Sequence, residues 1–202
     1  MKFTGPKVKK SRALGVALTP KAQKYMRTRP YPPGHHGQAR RRRRSDYGTQ
    51  LLEKQRLRFQ YNVSERYLQR LVKTAAKMPG ATGENIFALL ETRLDALVLR
   101  AGLATSIYAA RQFVNHGHIY VNGRKVDVSD YTTKVGDRIE VKDSERSRKE
   151  VKQQLESNPN FTTQTWLQLD REKPAATIVA LPSREDVQIP VEEQLVVEIC
   201  SR

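Results

Sequence analysis

The sequence predicts an α+β protein. A basic extended N-terminal arm (1–45) precedes a small all-α domain (46–90, completed by 186–202), and between its parts lies a second domain (91–185) of two short helices on a small antiparallel sheet. Three observations predict this. The first 50 residues carry 14 Lys/Arg against one acid, Asp46, with few periodic apolar residues. Apolar residues then recur at three- and four-residue spacing as far as Val114. From Ile119 the period drops to two, with Asn122-Gly123 at the turn.

In the arm, Pro30, Pro32 and Pro33 exclude a regular helix. The segment has too little apolar area to order alone, but it can fold against a polyanion. The run Arg40, Arg41, Arg42, Arg43 and Arg44 would neutralise phosphates whatever their sequence. Tyr25, Tyr31 and Tyr47 interleave with the cations and suit stacking on bases or sugars. His35-His36 predicts no metal site, because adjacent histidines diverge and no Cys stands nearby to complete a tetrahedral set.

Ser45-Asp46 offers an N-cap to a helix carrying Leu51, Leu52, Leu57 and Phe59. Tyr61-Asn62-Val63 breaks it, and Ser64 starts another with Tyr67, Leu68, Leu71, Val72 and Ala75 at helical spacing. Residues 79–83 form a loop, not a phosphate cradle, since no strand precedes it and no Lys-Ser/Thr follows. Thr82 or Gly83 then caps a helix with Ile86, Phe87, Leu89 and Leu90.

The second domain opens with Leu94, Leu97, Val98 and Ala101 on one helical face, ended by Gly102. Thr105 or Ser106 caps the next helix, with Ile107, Ala110, Phe113 and Val114 inward and Arg111, Gln112 and Asn115 outward. Gly117 ends it. Ile119 and Val121 alternate into the hairpin turn, Val126 and Val128 continue the alternation, and Ile139 and Val141 supply a third strand. The outer face carries Arg111, Gln112, His116, His118, Asn122, Arg124 and Lys125, a set suited to phosphate and sugar. A charged helix over 143–158, with Val151 and Leu155 on one side, follows. Residues 166–170 and 176–181 read as a hairpin that adds to the sheet, with Trp166 supplying apolar area. The last helix starts at Glu192-Glu193, and its Leu195, Val196 and Ile199 are expected to pack on the helices of 46–90.

Net charge is +16 and the isoelectric point about 10.2, which points to a polyanionic partner, most simply nucleic acid. The charge is graded: residues 151–202 carry five bases and eight acids. Cys200 is the single cysteine and reads as a buried, inert thiol. No run of 18 apolar residues is present, and the basic N-terminus lacks the apolar stretch of a secretory signal. A reducing compartment fits: cytoplasm, or plastid stroma in an organellar protein.

The residues Arg93-Leu94-Asp95, Gly102, Ser106, Ala110-Arg111-Gln112, His116-Gly117-His118-Ile119, Val121-Asn122-Gly123 and Gly136-Asp137 resemble the S4-type RNA-binding domain. The likeness implies that the helix pair and its hairpin present a basic surface to structured RNA. Arg93, Arg111, Gln112, His116, His118, Asn122, Arg124 and Lys125 are the RNA contacts expected here, with Arg40 to Arg44 and Tyr47 in the arm. Family members often carry Arg directly after the Ser that starts the second helix. Here Ile107 and Tyr108 stand there, so those phosphate contacts are not expected. Asp95 is expected as a cap or ion-pair partner of Arg93 or Arg111, and Asn122-Gly123 fits turn geometry as well as RNA contact.

The likeness extends further. Tyr31-Pro32-Pro33-Gly34-His35-His36-Gly37-Gln38, Ser45-Asp46-Tyr47, Glu53-Lys54-Gln55, Ser64-Glu65-Arg66, Leu90 to Asp95, Glu193 to Val196 and Ser201-Arg202 resemble the bacterial-type small-subunit ribosomal protein S4 family, in a cyanobacterial or plastid-like form. Some members carry a zinc-binding Cys cluster near residues 10–30; this chain has none there, so no metal or other cofactor is implied. The resemblance implies a primary assembly protein on the 5′ domain of 16S rRNA, at a multi-helix junction. It also implies neighbours S5 and S12, a part in translational accuracy, and proximity to messenger RNA. Similar modules occur in pseudouridine synthases and tyrosyl-tRNA synthetases, which need a separate catalytic domain. This chain shows no Ser/His/Asp or Cys/His set, and for Glu192 and Glu193 a helix-dipole role suffices. Free RNA-binding regulators with such modules are usually shorter and lack the pattern of residues 30–60.

Overall fold

The computed structural model describes residues 3–39, 44–145, 147, 149, 151, 153, 164–170, 174–187 and 189–201. Among these, eight helices and one five-stranded antiparallel sheet make the protein α+β. The chain divides into two units, residues 1–86 with 188–202, and residues 87–187.

The first unit corrects the reading of residues 1–45 as extended. Two helices form there, α1 (Lys7–Leu14) and α2 (Pro20–Thr28). Gly15 ends α1 at φ 73°, Thr19 Oγ1 accepts from Ala22 N at 3.2 Å, and Pro20 occupies the first turn of α2. Leu14, Leu18 and Ala22 are buried, so a few well-placed apolar residues suffice. The buried Ser11 hydroxyl donates to Lys7 O and accepts from Leu18 N, which fixes the turn between the helices. Residues 30–33 are non-helical as expected. Arg12 donates to Tyr31 O at 3.0 Å and lies over the Tyr31 ring, so that ring already stacks on a cation of its own chain.

α3 (Asp46–Gln60) is capped by the Ser45 hydroxyl. The break after it is Asn62, in the left-handed region at φ 48°, whose side-chain oxygen accepts from Phe3 N. α4 (Glu65–Ala75), capped by Ser64, buries Leu68, Leu71, Val72 and Ala75. α5 (Thr82–Glu91) spans the boundary between the units. The C-terminal helix α8 (Glu193–Ser201) packs on α3, with Val196 and Ile199 buried and Gln50 donating to Glu198 at 2.8 Å. Cys200 is only half-buried; burial nevertheless raises its pKa and keeps it a thiol.

In the second unit, α6 (Leu94–Arg100) is followed by Gly102 at φ 72°. α7 (Ile107–Asn115) is capped by Ser106 and followed by Gly117 at φ 71°. The sheet runs β2-β1-β3-β5-β4: β1 (Ile119–Val121), β2 (Arg124–Lys125), β3 (Arg138–Val141), β4 (Leu167–Asp170) and β5 (Ala175–Ile178). Asn122 and Gly123 both have positive φ, 50° and 75°, as a type I′ turn needs. Tyr120 pairs with Lys125, Val121 with Ile139 and Ile139 with Ala176. The β4–β5 hairpin joins the sheet as expected, through β3. One core contains Leu94, Leu97, Val98, Ala110, Phe113, Val114, Ile119, Val121, Ile139, Trp166, Leu167 and Ile178.

The strand expected through Val126 and Val128 stops at Lys125, and Val128 is exposed. The chain is drawn off to the start of α6 instead. There Tyr131 O accepts from Leu94 N at 2.9 Å and Ser129 O from Asp95 N at 3.3 Å, meeting amides a helix cannot satisfy itself. β5 likewise ends at Ile178, with Val179 and Leu181 exposed. The helix expected over 143–158 lies in large part outside the described residues; Val151 is buried in the core.

Candidate nucleic-acid interface

The carboxyl end of α7 and the β1–β2 hairpin bring together much of the predicted set. Gln112 and His116 are exposed, as are Arg124 and Lys125 on the two-residue strand β2. His118 is half-buried, stacked on Phe113 at 4.9 Å, with Nδ1 2.9 Å from Ser147 Oγ. The His116 and His118 rings are 6.2 Å apart. The Lys125 side chain crosses Gly117, where a Cβ would stand 2.3 Å from Lys125 Cε. That brings the Lys125 ammonium to the carboxyl end of α7, the end that favours a cation.

Gly117→Ala should therefore destabilise by about 1–2 kcal/mol, chiefly from the left-handed backbone, because the Lys125 tail can swing aside. Chemical denaturation of the two proteins checks the figure. The same variant should alter binding of polyanions, since Lys125 must move.

Asn122 is exposed but engaged. Its Nδ2 donates to Asp137 Oδ1 at 2.8 Å and its Oδ1 accepts from Arg138 N at 2.9 Å, tying the hairpin turn to the turn before β3. These bonds account for the turn-geometry role of Asn122.

Arg93 and Arg111 correct the sequence reading, which placed Arg111 outward and both at the interface. Both are buried, 1% and 6% exposed. Arg93 makes a two-pronged pair with Asp95, Nε–Oδ1 at 3.0 Å and Nη2–Oδ2 at 2.7 Å. Arg111 reaches Asp95 at 3.3 Å and Asp130 at 2.6 Å. Asp95 is wholly buried and its Oδ1 also accepts from Ala96 N. Burial lowers the Arg111 pKa, and the neighbouring Asp95 opposes that shift. Two cations and two carboxylates cancel, so this cluster holds the loop of Asp130 against α6 and α7 instead of presenting charge. Asp95 is the ion-pair partner that the sequence suggested.

At the start of α7, Ile107 is buried, and burial pushes the Tyr108 hydroxyl up to about 12. Neither supplies a charge there. In the first unit, Arg40 to Arg43 lie outside the described residues. Arg44 is exposed just before the cap of α3, and Tyr47 is 57% exposed on its first turn. Lys21, Lys24 and Arg27, which sequence reasoning did not single out, are all exposed on α2 beside the exposed Tyr25. The Thr19-Pro20 start signal would have revealed that helix. Among the described residues no group of three or more His, Cys, Asp or Glu is placed to hold a metal ion, and no helix is long and apolar enough to cross a membrane.

The chain is similar to known proteins. A family model described as "Ribosomal protein S4/S9 N-terminal domain" matches residues 2–91, and one described as "S4 domain" matches residues 92–139. The chain is 51% identical to small ribosomal subunit protein uS4 of Streptomyces avermitilis, over 98% of this chain and 97% of the relative. It is 47% identical to that of Thermobifida fusca and 43% to that of Chlorobium phaeovibrioides, each over at least 99% of both chains. With both family models in sequence and relatives matched over their whole length, this chain belongs to the small-subunit ribosomal protein S4 (uS4) family.

Proposed function

We propose that the chain is a non-catalytic constituent of the small ribosomal subunit that binds its ribosomal RNA. The observation that carries this reading is the exposed group Gln112, His116, Arg124 and Lys125 on a helix end and sheet edge, with no carboxylate paired to any of them among the described residues. Such a surface attracts phosphate and ribose, and fixed cations favour RNA already folded to match them. Arg44 and Tyr47 add a cation and a stacking platform on the first unit. The names of the relatives support the ribosomal setting.

The finer reading is a primary assembly protein on the 5′ domain of 16S rRNA, at a junction of several helices. In it S5 and S12 are the protein neighbours, translational accuracy depends on the contact, and messenger RNA passes near the protein. The net charge of +16 supports a long RNA contact.

Equilibrium binding of the whole chain to a 5′-domain fragment tests it. With some ten phosphates engaged, log affinity should fall with log salt at a slope of about −7 to −9. A flat salt response rejects the proposal. Arg124→Gln with Lys125→Gln should reduce that slope by about 2 and weaken binding of different RNA sequences alike. Co-sedimentation at one copy per small subunit through high-salt washing separates a resident constituent from a dissociating regulator.

A further inference from the structure

α4 carries a charge pattern that the interface above does not use. Arg66, Arg70 and Lys73 lie on the helix and Lys77 follows in the turn beyond it; all four are exposed. Spacings of four and three stack Arg66, Arg70 and Lys73 along one line of the helix, neighbouring Cβ atoms about 5–6 Å apart, and Lys77 comes four residues later in the turn. The opposite face, Leu68, Leu71, Val72 and Ala75, is the buried one. Glu65 is the only acid on the helix, and it turns toward α3, 2.9 Å from Lys54 Nζ and 3.6 Å from Arg58 Nη1. None of the four stripe cations has an ion-pair partner among the described residues.

A solvated helix face ordinarily mixes signs, because like charges three or four residues apart destabilise the helix and opposite ones support it. This row does the reverse: the one carboxylate on its own helix is engaged elsewhere. An unbroken line of cations at that interval fits a line of phosphates. We infer that the Arg66–Arg70–Lys73–Lys77 ridge is a separate RNA-binding surface on the first unit. It lies along the phosphates of one strand of structured RNA and reads no base. Gln69, exposed beside the row, supplies an amide for ribose hydroxyls. The inference rests on the RNA-binding reading above and adds to it a contact that neither the arm nor the hairpin makes.

The test is salt-dependent binding of the full chain and of its R66Q/R70Q/K73Q/K77Q variant to the same 5′-domain fragment. Losing four phosphate contacts should reduce the slope by about 3. Between 50 and 200 mM salt the variant should then lose roughly 60-fold less affinity than the parent. The variant should melt no lower than the parent, since self-repulsion is relieved. Equal, steep slopes overturn this inference alone and assign the ridge to some other partner, such as an acidic protein. A flat response from the parent chain overturns the RNA reading itself, and this inference with it. If the fourfold variant does not fold, the pairs Arg66→Gln/Arg70→Gln and Lys73→Gln/Lys77→Gln each should lower the slope by about 1.5, and unchanged slopes in both overturn the proposal.

Discussion

Asp95→Ala should destabilise the second unit by about 3–5 kcal/mol, measured by urea denaturation near neutral pH. Asp95 is fully buried and holds Arg93 through two hydrogen bonds and Arg111 through a 3.3 Å contact. Without it, two buried guanidiniums would share Asp130, which lies 2.6 Å from one and 3.7 Å from the other. The cost comes from stranding buried charge, not from losing a favourable pair, since a buried ion pair roughly breaks even against apolar replacement. Asp95→Asn, which keeps the shape, should therefore also be severe. Asp130→Ala should cost far less, up to about 1 kcal/mol, because that carboxylate is 44% exposed. A loss below 1 kcal/mol for Asp95→Ala would contradict the burial of the cluster.

Trp166→Ala should cost about 3–5 kcal/mol, the range for deleting a buried aromatic ring. Trp166 is 3% exposed and shares a core with Phe113, Val114 and Ile119. Its carbonyl accepts from Val179 N at 3.0 Å, extending the β4–β5 pairing at the open end of the hairpin. The matched S4 domain ends at residue 139, so this ring tests whether the appended hairpin is integral to the unit. Because Trp166 is the only tryptophan, its fluorescence follows the second unit, and calorimetry can follow the variant that lacks it. A variant as stable as the parent would make the hairpin an accessory.

Local signals strong enough to act alone were legible. Asn122-Gly123, Gly102, Ser106 and the alternation around Ile119 and Ile139 each map onto one turn, cap or strand. The terminal helix was legible because Val196 and Ile199 needed an apolar partner. Readings failed where tertiary hydrogen bonds outweighed pattern. Val126 and Val128 alternate like a strand, yet the start of α6 captures the backbone beyond them. Arg111 falls on the polar side by spacing, yet Asp95 and Asp130 make burial of its charge tolerable. α1 and α2 were masked by their cations, although Thr19-Pro20 and Gly15 are ordinary helix boundaries. In the candidate site, exposed cations could be named from sequence, but not which arginines are neutralised within the fold.

The first unit comprises residues 1–86 and 188–202, with α8 packed on α3. A ribosome making this chain therefore delivers the second unit's full sequence before the first unit's last helix exists. At about 5–20 residues per second, the basic amino-terminal segment waits several seconds for its closing piece. During that interval its apolar stripes lack their final cover while its cations are already outside the exit tunnel. Nascent chains stalled short of Glu193 should be more protease-sensitive in the amino-terminal unit than released ones.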